Sequence, residues 1–336
     1  MPGTRGLAAA LATTALLAAP GTAGAGDNDL VMARLGTVIE DGSGAPIDVV
    51  GDNQQYRSMV SELGVVLAPR LLAPADTLGF GGFQFSVDVG FTGISNDAPY
   101  WRVLEGSDDP SSPTTVHGEG LMQTVGIFAR KGMWFPAPSF EVGAGAVHLA
   151  GSQMWSAQGY AKFALHEGFH DLPIPSVAAR GAASRLMGAE DIDLTVASFD
   201  VSLSKHLGLG GMLGLDPYLG WDLLIIVPRS EVVDRTPHID ALDPDVMNDD
   251  AMNFVFKNQA DITRQRLFFG TKVQYYVFAL TLEASFTLAG SSVDDRAGTD
   301  LACSDVTSTN DLDRCDAADQ SALQESFAIS LGMDFW

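Results

Sequence analysis

Basic residues are scarce. Lys and Arg number 19 against 42 Asp and Glu, and the formal charge is −23 at pH 7. Phosphate binding needs clustered Lys and Arg, so this balance excludes nucleic acid as a partner. Cysteine is nearly absent, with only Cys303 and Cys315. Two thiols alone lack the remaining ligands of a structural zinc site. The six histidines are scattered and none stands in an H-E-x-x-H pattern. His166 and His170 are four apart but fall at a strand end and a turn, where solvated positions are the rule. No G-x-S-x-G elbow and no phosphate-binding loop is found. These absences leave no catalytic residue, no metal site and no cofactor to expect, and the chain reads as a non-enzyme. Long apolar runs are also missing beyond the first twenty residues. Yet 46% of residues are hydrophobic and mean hydropathy is +0.13. The apolar content is spread over many short segments, which disfavours a helical membrane protein and permits a β-barrel.

What is present begins with the leader. Arg5 is followed by a small, apolar run from Leu7 to Ala19, then Pro20 and the Ala23-Gly24-Ala25 triplet. Residues 1–25 read as a secretory signal peptide, too short to span a bilayer. Export implies an oxidising compartment, in which Cys303 and Cys315 are expected to form a disulfide closing a polar loop.

Ten segments alternate with period two. In "GFQFSVDVGFT", Phe83, Phe85, Val87, Val89 and Phe91 oppose Gln84, Ser86, Asp88, Gly90 and Thr92. In "VFALTLEASFTLAG", Phe278, Leu280, Leu282, Phe286 and Leu288 oppose Ala279, Thr281, Glu283, Ser285 and Thr287. Similar rows run through "RQRLFFGTKVQYYV", "MWSAQGYAKFALH" and the closing "FAISLGMDFW". Weaker ones occupy 121–131, 139–149, 176–187, 193–206 and 215–227. The segment 193–206 changes phase near Ser198, which predicts a β-bulge. Connections of alternating length separate the segments, and three are long: about 93–120, 228–263 and 290–321. The last two are strongly acidic.

Residues 26–79 form an N-terminal periplasmic or plug segment. Asp52 with Gln55 predicts a helix cap, with Tyr56, Met59 or Val60, Leu63 and Leu67 on one face and Pro69 as the stop. The same letters also allow a strand over 58–68, which would demand a twelfth, such as "LVMARLGTV". Even parity with both termini in the periplasm favours ten strands plus a helix.

Over nearly the whole mature chain these features resemble a Gram-negative outer-membrane β-barrel protein of porin-like type. The last strand is similar to that family's assembly signal, with Phe335 in the apolar row and Trp336 one residue beyond it. The resemblance implies an all-β fold: a transmembrane antiparallel up-and-down barrel over 80–336, of ten or alternatively twelve strands. It also implies residence in the cell outer membrane, lipid around the barrel, and recognition of the last strand by the outer-membrane assembly machinery. Phe83, Phe85, Val87, Phe269, Val273, Leu280, Leu282, Phe286 and Leu331 are expected to meet lipid. The lumen candidates are Asp88, Arg130, Lys162, Arg180, Asp200, Asp222, Arg266, Lys272 and Glu283. These charges suit either a narrow wet pore or an ion-pair network that fills a closed lumen, and the small residues among them favour a narrow pore or passive uptake protein for small solutes. The alternative is a non-transporting barrel whose outer loops bind a partner, a glycan or cations, and a barrel enzyme comes third. Asp and Asn oxygens in the acidic loops suit weak divalent cations, without the ordered spacing of a dedicated site.

Overall fold

The computed structural model describes residues 26–335, apart from 45, 113–114, 137–138, 169–173, 210–212, 236–251, 258, 260–261 and 291–318. Ten strands form the wall: β1 Phe83–Gly93, β2 Leu121–Met133, β3 Phe140–Leu149, β4 Trp155–His166, β5 Ser176–Met187, β6 Ile192–Ser204, β7 Leu213–Ser230, β8 Ile262–Tyr275, β9 Phe278–Thr287 and β10 Gln324–Phe335. Each pairs antiparallel with the next in sequence. The ring closes where Phe335 of β10 pairs with Phe83 of β1. Closure leaves no unpaired wall edge, the condition for strands to cross a bilayer. The short connections (133–140, 166–176, 204–213 and 275–278) share one end, and the long ones share the other.

The inside–outside alternation is clean. On β9, Ala279, Thr281, Glu283, Ser285 and Thr287 are buried, while Phe278 and Phe286 are exposed. Phe85, Val87, Phe269 and Leu331 are each more than half exposed on the outer wall. Phe83, Val273, Leu280 and Leu282 lie on the same outward rows and are half-buried between neighbours. Such a band would be costly in water, at about 25 cal/mol for each Å² of apolar surface, and is at home in lipid.

The bulge expected near Ser198 is absent, because β6 keeps continuous register with β7 and β5 through that point. Ile192, Leu194, Val196, Ser198, Asp200, Ser202 and Ser204 all point inward. The phase change was in what the lumen contains. Beside Ile192, Leu194 and Val196 its upper part, near the long connections, is an apolar core, and its lower part is polar. The one register shift of this region falls instead between Ala164 and His166, where β4 meets β5.

Helix α1, Asn53–Val66, fills the upper lumen. The side chain of Asp52 caps it, accepting from the Gln55 amide at 3.0 Å and from its side-chain amide at 2.8 Å. Neither 58–68 nor 30–38 is a barrel strand. Tyr56, Met59, Val60 and Leu63 pack against Leu149, Leu186, Leu194, Val196, Leu224 and Ile226 of the wall. At Gly64 the helix touches the wall, and a Cβ there would sit 2.7 Å from the Ile226 side chain.

Residues 26–52 stand at the long-connection end. Val31 N donates to Val103 O at 2.7 Å and Asn28 N to Gly151 O at 2.8 Å. A hairpin of Gly36–Glu40 and Pro46–Gly51 follows there and leads into α1. From Leu67 the chain descends the lumen, and it leaves at the short-turn end, where Gly132 N donates to Gly82 O at 2.9 Å.

Candidate functional site

A chain that crosses the lumen outside the sheet carries N–H and C=O groups that the self-paired wall cannot satisfy. Side chains must do it. The inward charges of the lower lumen are arranged for that task. Arg130 on β2 donates to Leu72 O at 2.9 Å. Arg180 on β5 donates to Leu71 O at 2.8 Å and to Asp200 of β6 at 2.6 Å. Arg266 on β8 reaches Pro69 O at 3.1 Å and Asp222 of β7 at 2.6 Å. Lys162 on β4 donates to Asp76 O at 2.8 Å and Pro74 O at 3.2 Å, and pairs with Glu141 at 3.2 Å. Glu283 on β9 accepts from the Leu72 amide at 2.9 Å and from the Tyr218 hydroxyl at 2.8 Å.

Leu72 is thus gripped at both backbone groups. Its φ is +30°, a region that non-glycine residues rarely occupy. Bonds to charged groups are worth about 1.5–3 kcal/mol each, enough to hold such a backbone.

All nine lumen candidates are buried inside the ring. The structure brings Arg130, Lys162, Arg180, Arg266 and Glu283 together around residues 69–76, with Asp200 and Asp222 as counter-ions. Lys272 stands apart, paired with Asp334 of β10 at 2.6 Å. Asp88 is fully buried, and neither of its carboxylate oxygens has a hydrogen-bond partner. It faces Arg70, whose guanidinium occupies the space beside Gly90 that a Cβ would fill.

Below this clamp lies a cavity of about 550 Å³, lined by Asp76, Arg130, Glu141, Lys162, Asp216 and Lys272 and opening toward the short turns. α1 closes the lumen above it. The expected open pore therefore meets a lumen occupied by residues 53–82, because the charges that suggested ion passage are spent on a peptide backbone.

Several residues that hold the plug escaped sequence reasoning. Glu62, in the middle of α1, is fully buried. It accepts from Ser95 N (3.0 Å), the Ser95 hydroxyl (2.7 Å), the Tyr100 hydroxyl (2.9 Å), Trp101 Nε1 (2.7 Å) and Ala322 N (3.3 Å). It ties the helix to the 93–121 connection and to the approach of β10. Arg264 does the same from the wall, donating to Ser61 Oγ of α1 at 3.1 Å, Ser321 Oγ at 2.8 Å, Leu288 O at 2.7 Å and Ala322 O at 2.7 Å. The first long connection is consequently a packed body, with Trp101, Val103 and Leu104 in the apolar core around α1. A signal for Asp334 was available, since it sits on the polar row of the last strand. None existed for Glu62, whose partners are distant in sequence.

Phe335 points outward and is exposed. Trp336, Cys303, Cys315, His170 and most of the two acidic connections lie outside the described residues. Among the described residues no three His, Cys, Asp or Glu side chains are grouped to hold a metal ion.

No family model matches the chain, and no curated protein matches it. Among solved structures it is similar to the Neisserial surface protein A, at 11% identity and a TM-score of 0.29, over 76% of this chain and 97% of that one. It is also similar to LpxR from Salmonella typhimurium, at 11% identity and a TM-score of 0.27, over 73% of this chain and 99% of that one. The architecture stands on the strand pairing of this chain itself: a closed, ten-stranded, antiparallel barrel with an apolar outer wall and, among the described residues, one α-helix near its N-terminus.

Proposed function

We propose that this is an outer-membrane barrel that does not conduct, and that its working surface is the outer face built by the long connections and residues 26–52. The observation that carries this reading is the occupied lumen. Five wall residues from five different strands hold the backbone of residues 69–76, and an apolar core seals α1 above it. A wall that invests its buried charges in one fixed peptide supports a closed scaffold over a conduit. The proposal includes the outer membrane as the location, the Cys303–Cys315 disulfide, and a partner, glycan or weakly held cations as what the outer face meets. The last strand, ending in Phe335 and Trp336, serves as the assembly address. Narrow-pore uptake is the second reading, and the 550 Å³ cavity is the observation in its favour.

Single-channel recording in planar bilayers separates the two. The unaltered protein is expected to be silent. Stepwise current from the unaltered protein would overturn the closed-lumen reading.

A further inference from the structure

We infer that the barrel carries its own N-terminal segment across the membrane during assembly and displays residues 26–52 on the outer face. The path of the chain forces this topology. Residues 26–35 are bonded to the long-connection end, through Val31 N to Val103 O at 2.7 Å and Gly106 N to Asp27 O at 2.9 Å. Phe80 sits 84% exposed at the opposite end, just before β1 begins. Between these points the chain runs inside the ring. α1 is 14 residues, or about 21 Å at 1.5 Å per residue. The extended stretch beyond it adds up to about 3.3 Å per residue, ample to cover the rest of a hydrocarbon core about 30 Å thick.

Outer-membrane barrels place short turns in the periplasm and long loops outside. The segment before β1 therefore begins outside and returns to the periplasm, although the chain reaches the membrane from the periplasmic side. It cannot be drawn through the finished ring. A Cβ at Gly64 would already sit 2.7 Å from the Ile226 side chain, and the paired strands Gly36–Glu40 and Pro46–Gly51 would have to pass the same gap. The remaining route is enclosure: α1 and residues 67–82 lie against the open sheet, and β10 pairs with β1 around them. The clamp suits this order, because Arg130, Lys162, Arg180, Arg266 and Glu283 each meet a backbone partner as the ring closes around residues 69–76.

Three single cysteine variants test it in whole cells, labelled with a membrane-impermeant maleimide. Background from Cys303 and Cys315 is read on the unaltered protein. Ser43→Cys marks the exposed hairpin turn, Asp109→Cys the first long connection, and Phe80→Cys the exit from the lumen. Ser43→Cys and Asp109→Cys are expected to label on intact cells. Phe80→Cys is expected to label only after the outer membrane is permeabilised. Labelling of Asp109→Cys without Ser43→Cys would overturn the inference. So would equal labelling of Ser43→Cys and Phe80→Cys on intact cells. A conducting barrel with this labelling pattern would refute the closed-scaffold function and leave the threading intact.

Discussion

Glu62→Ala and Glu62→Gln should separate cleanly. The two carboxylate oxygens divide their donors: Oε1 receives the Ser95 and Tyr100 hydroxyls and Ala322 N, and Oε2 receives Ser95 N and Trp101 Nε1. Removing the carboxylate strands five donors in a buried site. An unsatisfied buried group costs about 1–3 kcal/mol, and neighbouring losses do not add fully, so Glu62→Ala should cost on the order of 3–5 kcal/mol. Glutamine fits better than its lost charge suggests. With its carbonyl at the Oε2 place it still accepts from Ser95 N and Trp101 Nε1. Its amide then meets two hydroxyls, which can rotate to become acceptors. Only the long bond from Ala322 N and the charge itself are lost, about 1–2 kcal/mol in all. The assay is hydrogen exchange of α1 and residues 94–104 in detergent, beside urea unfolding of the whole barrel. The alanine variant should lose protection at both places while strand amides stay protected. Equal effects of the two substitutions would refute the donor accounting, and a silent alanine would refute the role of Glu62 as the fastening of the plug.

Wall register gives a second contrast. Leu282→Arg puts a charge on the lipid side, at a cost of about 2–4 kcal/mol near the midplane, and should impair assembly scored by heat-modifiable gel mobility. Glu283→Ala leaves Leu72 N and Tyr218 Oη without their acceptor, about 1–3 kcal/mol each, and should loosen residues 69–76 in hydrogen exchange while the barrel still assembles. His117 predicts an acid sensitivity in the first long connection. Burial pushes its pKa below the usual 6.5, Arg102 and Arg34 add to the shift, and Asp109 opposes it. The unfolded connection then binds more protons than the folded one. Stability is complete above the ordinary histidine value and is lost as pH falls below it. Proteolysis of residues 94–120 should accelerate from pH 7 to 5, and His117→Gln should flatten that dependence.

Period-two letters in ten places were enough to read a barrel and its outward-facing rows, and parity favoured ten strands over twelve. This holds because a strand's neighbours are its own alternating residues and lipid imposes one rule on the whole outer face. Asp52 and Gln55 marked the helix start, since a cap is satisfied within one turn, while the strand alternative over 58–68 was set aside only by parity. The lumen obeys no such local rule. Ile192, Leu194 and Val196 mimic an outward row, and only α1 packed beside them explains why they point inward. Arg130, Arg180 and Arg266 read as pore charges because their partners are main-chain carbonyls, which have no signature among side chains. Glu62 looked like any polar residue within a helix. Its five donors come from residues 95–101 and 322, brought to it only by ring closure. The sequence by itself thus determined the wall, through side-chain periodicity and the bilayer. Tertiary structure alone decided what fills the lumen and which face carries residues 26–52, because those depend on contacts between segments that local pattern does not encode.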